Sequence, residues 1–293
     1  MHLRIVSHFS LLLLVLLTSA CVTTTKPLEL GQFISDGYKP GTLPIQIALP
    51  EGKWEVAEYT TSSNNNNTFI ISSTFIERKG NQVSRAVSFT VPKEAAMNGY
   101  VVSKFCSRDN MHFRETEASQ ESQKQKCFWV NHYRPTYAGS KSIRKRKIGE
   151  YLNKNNLEPP SHLIQVGYRF ADEIEFINVN YYFNPVVDGF SKDPRTSWTG
   201  SPWHPSNTAL VPSRQEYIDK LINWAKQYKS SVENAFNGLA PTLARVNKVK
   251  STRMETAPSS ITQRLEALKK LYSNGLITEA EFELKKSEIL KGL

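Results

Sequence analysis

At 293 residues the chain is long enough for one large or two modest domains, and its 39% hydrophobic and 22% charged residues are those of a globular protein. With 14 Gly and 15 Pro it is neither collagen-like nor of low complexity throughout. A formal net charge of +10 raises the question of an anionic partner, and three cysteines leave one without an intramolecular mate.

The chain opens with a short basic start, Met1 to Arg4, then the apolar run Leu11 to Leu17, then Thr18-Ser-Ala-Cys21. Charged start, apolar middle and small-residue end are the layout of an export signal. The apolar run is too short to span a bilayer, which takes about 20 residues. With Cys21 at its end, the site resembles the lipobox of bacterial lipoproteins, although Leu17 stands one place earlier than the usual leucine. The resemblance implies cleavage after residue 20, diacylation of the Cys21 sulfur and acylation of its new amine. At about 0.8 kcal/mol per buried CH2, three acyl chains hold a protein on a membrane without a spanning helix. Val22, where no Asp follows the cysteine, implies the outer membrane, with the protein facing the periplasm. Residues 21–42 are then expected to form a lipidated tether.

Residues 43–238 are expected to form the main domain. Ile45, Ile47 and Leu49 alternate as in a half-buried strand, and Trp54 to Tyr59 begin another. Phe69, Ile71 and Phe75 share one parity; Val83, Val87, Phe89 and Val91 share another run, and Gly80-Asn81 between them predicts a hairpin. Val101–Cys106 and Phe128–Tyr133 read as two more strands. A second hairpin is expected over 163–183, with a β-bulge where the apolar parity changes between Phe176 and Ile177. Ser213-Arg-Gln-Glu216 has the form of a capping box opening a helix, and Tyr217, Leu221, Trp224, Tyr228, Val232 and Phe236 form its apolar stripe to residue 236. Strands first and one long helix late predict an α+β domain, a mostly antiparallel sheet packed by that helix.

Residues 239–258, with Arg245, Lys248, Lys250 and Arg253, read as a basic linker. Beyond it, Ile261, Leu265, Leu268 and Tyr272 line one short helix; Asn274-Gly275 ends it; Thr278-Glu-Ala-Glu281 caps a second helix carrying Phe282 and Ile289. The core Gly275-Leu-Ile277-Thr278-x-x-Glu281-Phe282, with Leu265, Leu268 and Ile289 around it, closely resembles the SHOCT domain, a short C-terminal domain of many bacterial proteins. The resemblance covers residues 259–293 and implies an interaction or oligomerisation element without catalytic residues. A hairpin of this size is too small to be stable alone. It must dock on its own chain, on another copy or on a partner.

Three features carry candidate chemistry. Cys106 and Cys127, in an oxidising compartment, are expected to form a disulfide. Cys106-x5-His112 with Cys127-x4-His132 is also a zinc-type set of two Cys and two His, with longer inner spacings than the usual motif. The proline-rich stretch 184–212 carries Trp198, Trp203, His204 and Arg195, and exposed tryptophans there would stack on a sugar ring; packed tryptophans would instead plug the sheet edge. Lys141 and Arg144-Lys145-Arg146-Lys147 form the densest basic cluster, a candidate contact for an anionic membrane surface if it is not a solvated loop tip. Export removes nucleic acid as a partner. No hydrolase, zinc-protease, P-loop or dinucleotide motif is present, so no catalytic residue, cofactor or metal is assigned. The expected function is that of a non-enzymatic, membrane-anchored envelope lipoprotein. It would bind or assemble through the C-terminal hairpin with a copy or a protein partner. The alternative is an envelope glycan-binding protein or enzyme using the 184–212 loop.

Overall fold

The computed structural model describes residues 27–35, 37–63, 69–95, 103–117, 124–192, 197–239, 261–273 and 277–290. Cys21, Arg195, Gly275 and the linker from residue 240 lie outside the described residues.

Eight strands form one antiparallel sheet: β1 (Phe33–Ile34), β2 (Trp54–Ser63), β3 (Phe69–Lys79), β4 (Gln82–Pro92), β5 (Phe113–Thr116), β6 (Gln125–Tyr133), β7 (Leu163–Ala171) and β8 (Phe176–Phe183). Their order is β1-β2-β3-β4-β8-β7-β6-β5, so two meanders meet where β4 pairs with β8. With five helices around the sheet the architecture is α+β. The β3–β4 hairpin forms where expected, and Gly80 takes the positive φ of +63° that its turn requires. A register shift beside Ser84 separates Val83 from its expected partners: Val83 joins one face, Val87, Phe89 and Val91 the other. The β7–β8 pairing, in contrast, runs without the expected bulge from Ala171↔Phe176 to Ile164↔Phe183. Phe176 lies on the opposite face from Ile177, Val179 and Tyr181, and the Arg169 guanidinium sits 4.3 Å from its ring centroid.

The first face carries the main core. The long helix α3 (Pro212–Phe236) lays Tyr217, Leu221, Trp224, Tyr228 and Val232 on Val166, Tyr168, Tyr181 and their neighbours. Its start differs from expectation. Pro212 occupies the first turn, Val211 is the cap without a side-chain bond, and Ser213 already lies inside the helix, so the capping box does not form. Ile45, Ile47 and Leu49 are fully buried on this face, yet they lie in no strand of the sheet; the bridge Tyr38↔Ile47 is a ladder contact there. Two buried phenols fasten these layers: Tyr181 Oη donates to Ala48 O at 2.8 Å and Tyr168 Oη to Ala225 O at 2.7 Å. Packing begins inside the expected tether, because Leu28 joins the core and β1 pairs with β2.

The second face is covered unevenly. Helix α1 (Ile143–Lys154), which the sequence reading did not anticipate, covers Ala57, Ile76, Val83 and Ala86 with Tyr151 and Leu152. Beyond it, Cys106 and Cys127 form a disulfide with Cα atoms 5.6 Å apart. Closing a loop of this length contributes about 3 kcal/mol. The expected strand ending at Cys106 is instead a 3-10 turn over Lys104–Ser107; Val101 and Val102 lie outside the described residues. Trp129 stacks on Phe105 at 5.2 Å and covers Gly167, where an added Cβ would stand 2.2 Å from the indole. Gly167→Ala should therefore lower stability by about 1–3 kcal/mol, read as a lower denaturant midpoint, and combining it with Trp129→Leu should recover part of that loss. A Gly167→Ala midpoint equal to wild type contradicts this packing.

Candidate functional site

The basic cluster of the sequence becomes the first two turns of α1, capped by Ser142, whose Oγ accepts from the Lys145 N–H at 3.5 Å. Lys141, Arg146 and Lys147 are exposed there. Lys145 lies over the Tyr133 ring, 5.5 Å from its centroid. Arg144 turns the other way. Its Nε donates to Glu58 Oε2 at 3.0 Å, Nη1 to Thr90 Oγ1 at 3.2 Å, and Nη2 to Thr74 Oγ1 at 3.1 Å, to Ser88 Oγ and to the Ser73 carbonyl. Glu58 is completely buried. Removing one partner of such a pair costs about 3–5 kcal/mol, because the other charge stays in the interior. Arg144 is thus a structural cation, and the cluster's exposed positive charge is that of Lys141, just before α1, and of Arg146 and Lys147.

The stretch 184–212 folds against the first face. Trp203 is buried, and its ring packs with Phe190 at 5.0 Å and Tyr217 at 5.6 Å. The Tyr217 hydroxyl donates to Asp188 Oδ2 at 2.6 Å. Burial raises the Asp188 carboxyl above its usual value, with Tyr217 acting against it. Trp203 is therefore a core residue with no face left for a sugar. Trp198 is half-buried, its ring tilted against that of His132 at 3.7 Å between centroids, with the Arg108 guanidinium 5.4 Å from its centroid.

This packing gathers histidines far apart in sequence. His112 Nε2 donates to Trp203 O at 2.9 Å, and the rings of His132 and His204 lie 5.6 Å apart, edge to face. Burial pushes His112 down to about 4, His204 adding to this and the Trp203 carbonyl opposing it. Burial pushes His132 down to about 3, with His112, His204 and His162 adding and the Trp198 backbone opposing. Burial also lowers His204, against the attraction of Glu281. His162 belongs to this group and was not singled out in the sequence; no local motif marks it, since the strands bring it there. Because Cys106 and Cys127 are joined to each other, the zinc-type set with His112 and His132 is not assembled. Among the described residues no group of three or more His, Cys, Asp or Glu is placed to hold a metal ion.

His204 leads to the C-terminal hairpin. It caps the short helix α2 (Pro205–Thr208), its Nδ1 accepting from the Ser206 N–H, and the chain then presents Ala209 and Leu210. Helices α4 (Ile261–Ser273) and α5 (Glu279–Leu290) close on these two residues with Leu265, Leu268, Leu271, Ile277, Phe282 and Ile289. The Thr278 capping box forms as expected: Glu281 Oε2 accepts from the Thr278 N–H at 2.9 Å and Thr278 Oγ1 from the Glu281 N–H at 3.3 Å. Tyr272 and Phe282 pack at 4.9 Å between centroids. Glu281 and Lys285 both act on His204, the one favouring its charge and the other opposing it.

Residues 263–290 match the family model described as SHOCT, short C-terminal domain. No curated protein and no solved structure matches the chain.

The histidines make stability depend on acid in a defined direction. An imidazole whose folded value lies below its unfolded value of about 6.5 stays neutral in the fold while the unfolded chain takes up protons. Its contribution is complete above pH 6.5 and is lost as pH falls toward the folded value. For His132 the loss is about 1.4 kcal/mol per pH unit. The thermal midpoint should fall between pH 7 and pH 5, and less steeply in His132→Phe. Parallel pH profiles for the two chains would contradict the burial of a neutral His132.

Proposed function

We propose that a chain ending in a SHOCT domain and beginning with a lipobox-like signal is a membrane-anchored envelope lipoprotein, non-enzymatic, that binds or assembles through its C-terminal hairpin. The observation that carries the assembly part is the way the hairpin is held. Among the described residues its apolar cluster takes in Ala209 and Leu210 of the body, while Leu284, Tyr272 and Leu290 remain exposed at 60%, 41% and 40%. A contact this small is readily exchanged for the same site on another copy or for a protein partner. The Cys106–Cys127 disulfide supports an oxidising compartment. Among the described residues no helix is long and apolar enough to cross a membrane. The anchoring proposed is acylation of Cys21. The exposed lysines of α1 suit an anionic membrane surface. Nothing in this reading requires a cofactor or nucleic acid.

Cells fed radiolabelled palmitate should label the wild-type chain and leave Cys21→Ser unlabelled. An unlabelled wild type contradicts the anchor. Removal of residues 259–293 should change the assembly state on a sizing column, and an elution position explained by the lost mass alone contradicts the assembly role.

A further inference from the structure

The second face of the sheet holds a cavity of about 260 Å³ between α1 and the strands, on the inner side of the basic cluster. Cross-strand register orders its floor. One row is Ile76, Ala86 and Tyr182; the next is Thr74, Ser88 and Asn180; Thr90 and Asn178 follow. The floor therefore runs from apolar to polar along the strands. Ile148 and Leu152 of α1 roof the apolar end, Arg144 stands over the polar end, and Lys145 lines the cavity beside Tyr133. Tyr133 and Tyr182, 5.0 Å apart between centroids, form one wall with Tyr137, which packs where Gly149 leaves room on α1.

The polar end has donors to spare. The hydroxyls of Thr74, Ser88 and Thr90 are occupied with Arg144. Asn180 Oδ1 already accepts from Gln165 Nε2 at 2.6 Å, which leaves the Asn180 amide N–H groups. Arg144 Nη1 makes one bond, to Thr90, and keeps a second N–H. Among the described residues Lys145 has no ion-pair partner, and it rests on the Tyr133 ring. Glu58 balances Arg144, so Lys145 leaves the lining with one uncompensated positive charge, near the exposed Lys141, Arg146 and Lys147. A surplus of donors and positive charge at one end with apolar and aromatic walls at the other selects a small acid with an apolar tail.

We propose that the cavity between α1 and the sheet is a binding site for a small carboxylate carrying a short apolar tail. The carboxylate lies among Lys145, Arg144 and Asn180, and the tail lies against Tyr182, Ile148 and Leu152.

The test titrates the mature chain with hexanoate by calorimetry, with hexan-1-ol as the uncharged counterpart. Hexanoate should saturate one site, and hexan-1-ol should bind at least about tenfold more weakly because it lacks the charge-assisted bonds. Lys145→Gln, which touches no buried charge, should loosen hexanoate about three- to fivefold. Ile148→Trp should fill the cavity and abolish binding; if that chain does not fold, the Lys145→Gln chain and the alcohol still decide. Absence of saturation, equal binding of acid and alcohol, or an unchanged affinity in Lys145→Gln overturns the proposal. Phosphatidylglycerol vesicles that bind the protein while hexanoate does not would assign the positive charge to the surface lysines and likewise overturn it.

Discussion

Two buried carboxylates on β2 organise the second face of this protein. In a regular strand, Glu55 and Glu58 would point to opposite sides, because side chains alternate with a period of two. The register shift between Val56 and Glu58 breaks that alternation and turns both toward α1. Neither reaches water, with Glu55 4% and Glu58 0% exposed. A buried carboxylate demands a cation or strong donors. Arg144 answers Glu58; Arg78, at 2.6 Å, and the Tyr151 hydroxyl answer Glu55. Burial, with Glu55 beside it, raises the Tyr151 phenol above its usual value and keeps it a proton donor. Arg144 and Tyr151 lie near the two ends of α1, so the helix is fixed at both, and the cavity beneath it follows from that span.

The first face is held differently, by apolar area and a few phenol-to-carbonyl bonds under α3. Its edge is where polar chemistry enters. The 197–208 segment seats Trp198 and Trp203 beside neutral histidines, and the same segment ends at the residues that receive the hairpin. Packing at Trp203, the state of His204 and the docking of α4 and α5 are therefore neighbouring parts of one surface. The proposed roles of the chain divide along this line: assembly on the side of the first face, small-molecule recognition under α1.

Much of the first face was legible in the sequence because its signals are local and periodic. The β3–β4 and β7–β8 hairpins, the stripe of α3 and the Thr278 capping box each depend on a few neighbouring residues. The disulfide pairing was also legible, since only two cysteines follow Cys21. The second face was not. Arg144-Lys-Arg-Lys147 reads as a solvated cluster until Glu58, far away in sequence, is known to be buried. Ile148, Tyr151 and Leu152 give α1 too short an apolar face to stand out among so many cations. Ile45, Ile47 and Leu49 alternate like a strand but are buried outside the strands of the sheet, and alternation alone does not separate the two. The 184–212 aromatics were open to two readings, and the structure places Trp203 in the core.

Hydrogen exchange of backbone amides in Arg144→Met tests the central claim most directly, because it reads each element separately. If Glu58 holds α1 through Arg144, amides of residues 146–154 lose protection, while those of α3 and of the β6–β7 pair exchange as in wild type. Unchanged protection in α1, or a uniform loss across the whole sheet, would contradict the account.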